Sequence, residues 1–156
     1  MTELADGGIA VDVPDGWDAH IRAAGQGRVA SHQADPAGTG VVLHAASFAL
    51  PAERGDYGSG AVGLMGGSDV LVCLLEHERE VAGTPLFDRP RVSRLDLGMF
   101  SPQSMQRAVA GMAGTQHFFS EAGRAFCLYV VIGSYRTGGP LVRAADRVAA
   151  SIRISR

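Results

Sequence analysis

Two stretches of this chain are apolar on both sides of a strand. Residues 115–133, TQHFFSEAGRAFCLYVVIG, read as two strands joined at Glu121-Ala122-Gly123. In the second of them Phe126, Leu128, Val130 and Ile132 share one face while Ala125, Cys127, Tyr129 and Val131 share the other, because side chains alternate along a strand. Both faces need cover, which makes this a central strand. Residues 69–77, DVLVCLLEH, form a second near-continuous apolar run expected beside it. Glu76 then brings that strand to water, and residues 76–80 read as its solvated end.

The remaining pattern fills in around this pair. Residues 8–13 make a short apolar strand ended by Pro14-Asp15-Gly16, a turn that predicts a hairpin. From Trp17 the positions alternate, with Trp17, Ala19, Ile21 and Ala23 facing the core and Asp18, His20 and Arg22 facing water. Residues 28–32 read as a further short strand before the turn-rich 34–40. Residues 41–48, VVLHAASF, predict another strand whose small Ala45, Ala46 and Ser47 leave room for a helix to pack across. Residues 50–68 follow as a long loop with six glycines around the apolar trio Tyr57, Leu64 and Met65. Residues 81–100, interrupted by Pro85 and Pro90, keep no period and read as irregular with one helical turn. Ser101-Pro102 looks like an N-cap with Pro at the first helical position, and Met105, Ala108, Val109 and Met112 continue it at helical spacing. The best helix starts at Pro140, with Leu141, Ala145, Val148, Ala149 and Ile152 on one stripe, and residues 152–155 return as a short strand.

Composition narrows the function classes. At 156 residues the chain is one domain, 1–156, and its net charge of −2 gives no field for nucleic acid or an acidic membrane. All 14 basic residues are Arg, and Lys and Asn are absent, a codon bias of a high-GC bacterium. Without lysine there is no P-loop, Schiff-base site or Ser-Lys dyad. No leader pattern and no membrane-spanning run stand out, so the expectation is a cytoplasmic protein. Cys73 and Cys127 fall inside apolar strands and read as buried thiols, with a redox pair as the alternative if those strands are neighbours.

The strand IAVDVPDGW, the segment FCLYVVIGS and a terminal helix ending in RVAASIRI together resemble the PsbP-like superfamily, which includes Ran-binding Mog-type and bacterial DcrB-type proteins. The resemblance covers the two ends of the chain better than residues 50–112. It implies an α+β fold, an antiparallel sheet flanked by helices. It also implies binding or accessory work, since the superfamily's members mostly bind proteins and no catalytic residue carries over.

Chemistry is sparse. Gly66-Gly67-Ser68-Asp69-Val70 approaches the G-x-S-x-G elbow of a serine hydrolase but ends in Val, and nothing selects a base among His20, His44, His77 and His117. Glu76-His77-Glu78 is the nearest thing to a metal cluster, but on a strand His77 opposes the two carboxylates. Arg89, Arg91 and Arg94 offer planar donors for an anion, flanked by Asp88 and Asp96, and a solvated loop is the plainer account of them. Phe118 and Phe119 point to opposite faces, which argues against stacking on a base. The pattern therefore favours a non-catalytic binding, adaptor or chaperone-like domain, without metal or cofactor, whose partner is another protein. A small serine hydrolase using Ser68 is the alternative, and a small-ligand carrier the third reading. Tyr57, Leu64 and Met65 are the candidate contacts, either as a lid folded on the sheet or as an exposed loop meeting a partner.

Overall fold

A computed structural model describes residues 1–25 and 40–156. Its centre is the hairpin of β6 (Ala113–Glu121) and β7 (Arg124–Ile132), which pair antiparallel from Ala113–Ile132 to Glu121–Arg124. Ala122 and Gly123 turn the chain with φ of 55° and 74°, the left-handed pair that suits a two-residue hairpin to the twist of its strands. β5 (Val70–His77) pairs with the other side of β7, β4 (Val41–Ala46) with β5, and β3 (Asp18–Ala23) with β4, giving the order β3-β4-β5-β7-β6. Every residue of β7 is buried, as its two apolar faces require. A second antiparallel sheet, in the order β1-β2-β8, is built from β1 (Thr2–Asp6), β2 (Ile9–Val13) and the two-residue β8 (Arg153–Ile154).

The two faces of the five-stranded sheet are covered by different means. On the first, α1 (Gly138–Ser151) lays Val142, Ala145, Val148 and Ala149 against Val72, Leu74, Leu128 and Val130, and Ile9 and Val11 of the small sheet complete the layer. On the second, Leu71, Cys73, Leu75, Cys127, Tyr129 and Val131 are covered by Tyr57, Ala61, Met65, Met105 and Met112, none of which lies in an α-helix or strand. Among the described residues α1 is the single α-helix, and no helix is long and apolar enough to cross a membrane.

The α+β class holds, but the sheet is not flanked by helices on both sides. The helix expected from Ser101 stops after one 3₁₀ turn, Pro102–Ser104, although Ser101 caps it as its sequence suggests. Instead of winding on, the chain runs over the sheet: Gln106 N donates to Tyr129 Oη at 2.9 Å and Met105 and Met112 turn inward. Burial of two methionines outweighs a helical propensity already weakened by Gly111 and Gly114. Pro14-Asp15-Gly16 makes its turn but not a hairpin, since β2 and β3 belong to different sheets. Trp17 packs on the first core cluster from its margin, half-buried rather than central. β1 had no counterpart in the hydrophobic pattern because four of its five residues are exposed. The strand expected at residues 28–32 lies outside the described residues.

Glu76 departs most from expectation: it is buried, not solvated. Arg124, the first residue of β7, donates Nε to Glu76 Oε2 at 2.6 Å and Nη2 to Oε1 at 2.9 Å. The same guanidinium reaches the carbonyls of Ser155 (2.8 Å) and Gly7 (3.0 Å), so one side chain ties both sheets together. Its plane lies over the Phe126 ring at 5.2 Å. Gly8 and Gly40 pack so closely here that a Cβ on Gly8 would come 2.5 Å from Arg124 and one on Gly40 would overlap the Glu76 carboxylate. Burial alone would raise the Glu76 carboxyl, but the Arg124 bonds, the Val41 amide and the Arg124 and Arg79 charges outweigh it and hold it below its ordinary value.

Breaking one partner leaves the other buried and uncompensated, so Arg124→Ala should cost about 3–5 kcal/mol in urea unfolding at pH 7. Because the Glu76 pKa is depressed in the folded state, the pair's contribution is present above the ordinary carboxylate range and is lost as pH falls through the folded value. The double variant Glu76→Ala/Arg124→Ala should cost clearly less than the two single losses added. Additive losses would show that the two groups are not coupled.

Candidate binding surface

The loops on the second face are held by polar groups that β3 and β4 aim at them. His44 is completely buried. Arg54 donates Nε to His44 Nδ1 at 2.8 Å, and because a guanidinium has no acceptor, Nδ1 must be the bare nitrogen. Nε2 therefore carries the proton and donates to the Asp56 carbonyl at 2.7 Å. Arg54 Nη1 also donates to the Pro51 carbonyl at 2.6 Å. Arg22 Nη2 donates to the Arg54 carbonyl at 2.8 Å and lies 3.7 Å from Asp56 Oδ1, so Arg22 is not on a wet face. Asp18 accepts from the Leu50 amide at 2.8 Å. At the far end of this strap, Gly66 N donates to Asp69 Oδ2 at 2.8 Å and Ser47 Oγ to Asp69 Oδ1 at 3.0 Å. Burial pushes the His44 imidazole down to about 3. The Asp56 carbonyl opposes that shift, while the charges of Arg54, Arg22 and His20 add to it.

Pinned in this way, the strap divides the apolar trio. Tyr57 and Met65 are 5% and 8% exposed, with the Tyr57 ring edge-on to Tyr129 at 5.5 Å, and act as a lid. Leu64, next to Met65 in the chain, is 61% exposed. A second strap, residues 101–112, lies on the same face: Ser101 bridges to Gly114, Gln116 Nε2 donates to the Ser104 carbonyl at 3.0 Å, and the Gln106 amide caps Tyr129. A third loop closes the upper edge. Gly133 N donates to the Asp69 carbonyl at 2.8 Å and abuts the Gly66 carbonyl too closely for any Cβ, while Tyr135 N donates to the Gly111 carbonyl at 2.9 Å. Tyr135 itself is 44% exposed. Arg107 and Arg136, also exposed, are the charges of these loops: residues 57–68, 101–112 and 133–137 contain no Asp or Glu.

The other candidates are dispersed. Ser68 sits exposed in the turn before β5, and among the described residues no hydrogen bond joins it to a histidine. His77 ends the same strand, roughly 25–30 Å farther along at about 3.3 Å per residue, with its ring 5.3 Å from Phe87 and 6.3 Å from Phe118. Both ring nitrogens of His44 are engaged, His20 pairs with Asp18 at 3.0 Å, and His117 Nε2 lies 2.8 Å from Thr115 Oγ1 on its own strand. Glu76 is committed to Arg124, and among the described residues no three His, Cys, Asp or Glu are placed to hold a metal ion. Of the three arginines, Arg91 is a structural tie, donating Nη1 to the Ile152 carbonyl at 2.8 Å and pairing with Glu121 at 3.2 Å. Arg89 and Arg94 are exposed. Cys73 stands opposite Tyr129 and Cys127 opposite Leu75, so the two thiols are diagonal neighbours on one face, buried and not in a disulfide. Burial pushes the Cys127 thiol up to about 12, against the pull of Tyr57 and the His117 backbone, which leaves it unreactive. Phe119 stacks on Phe126 in the first core, and Phe118 is part-buried against the second.

No protein-family model matches this chain, and no curated protein or solved structure matches it. Sequence reasoning missed Tyr135, Arg107 and Arg136. Their signal was the lack of Asp and Glu in residues 57–68, 101–112 and 133–137, three stretches that only the fold brings onto one face.

The buried network sets a pH response. A histidine whose folded pKa is depressed stabilises the fold above its unfolded value of 6.5, and that contribution is lost as pH falls toward the folded value of about 3. By ¹⁵N NMR, His44 should remain the neutral Nε2–H tautomer at pH 5, while unfolding free energy drops by several kcal/mol between pH 7 and pH 4. An imidazole that titrates near 6.5 would mean the strap is not closed over it.

Proposed function

We propose that this protein is a non-catalytic binding or adaptor domain whose contact surface is the outer side of the second face, centred on Leu64 and Tyr135. The observation that carries this reading is the exposure of Leu64 at 61% on a strap whose neighbouring Tyr57 and Met65 are buried. A lone exposed leucine is ordinary, but one held out by a fixed backbone and joined through the Gly66–Gly133 contact to the loop bearing a half-exposed tyrosine has the makings of an anchor. Tyrosine suits such a position, since its ring gives contact area at little entropic cost. The PsbP-like resemblance at both chain ends supports the same reading, because that superfamily mostly binds proteins. The serine hydrolase has less behind it: Ser68 lacks a histidine partner among the described residues, and His44 has no free nitrogen to serve as base.

The test is chemical cross-linking and capture from the source cell with wild type, Leu64→Ser and Tyr135→Ser. Both variants should melt within about 2 °C of wild type, since neither side chain is core. They should also lose a specific partner that the wild type retains. Identical partners for all three proteins would remove this surface from consideration.

A further inference from the structure

The charge pattern of the same surface says more about what it accepts, and the step rests on the binding reading above. The whole chain carries 16 acidic residues and a net charge of −2. Yet residues 57–68, 101–112 and 133–137 carry no carboxylate; on the first strap Glu53 is exposed ahead of that stretch, Asp56 is buried, and Asp69 accepts from Ser47 and Gly66. Arg107 on one strap and Arg136 beside Tyr135 are the charged groups of those three stretches. No Asp or Glu lies within five positions of either along the sequence. A leucine and a tyrosine on loops that also expose two guanidinium groups are complementary to a segment that presents apolar side chains beside carboxylates.

We infer that the outer side of the second face binds an acidic, leucine-bearing segment of another protein, its apolar side chains meeting Leu64 and Tyr135 and its carboxylates meeting Arg107 and Arg136. Nucleic acid is the less favoured anion, because two arginines on a chain of net negative charge give neither the basic stripe nor the exposed aromatic pair that a single strand needs.

Fluorescence anisotropy with three labelled twelve-residue peptides tests this: alternating Leu and Glu, alternating Leu and Lys, and alternating Leu and Ser, with oligothymidylate of equal length as the fourth probe. The Leu/Glu peptide should bind at least tenfold more tightly than the other three. Its affinity should fall at least tenfold in Arg107→Glu/Arg136→Glu and severalfold between 50 and 500 mM salt, whereas Arg107→Lys/Arg136→Lys keeps most of it. Leu64→Ser should weaken all three peptides. Equal binding of the Leu/Ser peptide, still lost in Leu64→Ser, would overturn the acidic preference and leave the binding surface standing. No binding of any peptide at millimolar concentration, or binding indifferent to Leu64, would overturn both. Tighter binding of oligothymidylate would overturn the inference in favour of nucleic acid.

Discussion

Everything in this fold follows from two adjacent strands, β5 and β7, that are apolar on both faces. A sheet built on them has no wet side, so two cover layers are needed, and the described residues have one long amphipathic helix to supply. α1 and the small sheet take the first face. The second is left to loops, and loops are poor cover, since their backbone amides and carbonyls must find partners once water is excluded. The side chains that β3, β4 and β7 project through that face answer the requirement. His44 bridges Arg54 and the Asp56 carbonyl, Arg22 takes the Arg54 carbonyl, and Tyr129 takes the Gln106 amide. A buried polar network of this kind specifies one arrangement of the strap because a half-satisfied alternative is costly.

The ion pair of Glu76 and Arg124 does the corresponding work between the sheets. A buried pair yields little net stability once desolvation is counted, and two well-packed apolar residues could replace it at no great loss. What apolar residues could not do is fix direction. Arg124 reaches Glu76 on β5, Gly7 in the β1–β2 turn and Ser155 after β8 at once, while Glu76 accepts the Val41 amide. Five segments far apart in sequence meet at one guanidinium and one carboxylate. The short β8, which alone could not hold its place, is located by that contact and by the Ser155–Gly8 backbone bond.

The strands were legible because their signal is local: alternation in β3, continuous apolarity in β5 and β7, turn residues at Glu121-Ala122-Gly123, and the stripe of α1 all lie within a few residues of one another. What escaped the sequence is what depends on contacts across it. Glu76 looks like a strand end meeting water, and only the register that places it opposite Phe126, within reach of Arg124, makes it buried. Arg22 alternates as a wet-face residue should, and is covered by a loop more than thirty positions away. Met105 and Met112 keep helical spacing, yet the sheet beneath them gives more burial to an extended strap. The candidate surface was half visible. The Gly-rich loop was identifiable as the place to look, but whether Tyr57, Leu64 and Met65 act together depended on the anchor at His44, which no sequence pattern announces.

The glycines of that loop deserve a different interpretation from the one composition suggests. Six of them around three apolar residues look like a mobile tether. In place, Gly58 and Gly60 hold φ of 81° and 89°, which side-chain-bearing residues rarely adopt, and a Cβ on Gly58 would come 2.6 Å from Leu71. They are needed for fit: the strap must turn tightly and lie close to the sheet for Tyr57 to reach Tyr129. The consequence bears directly on recognition. A mobile loop loses conformational entropy when it meets a partner, roughly 1–2 kcal/mol for each backbone residue that becomes ordered. A strap already ordered by His44, Arg54 and Asp69 has met that cost during folding, so Leu64 can be offered to a partner on a surface that requires little further rearrangement.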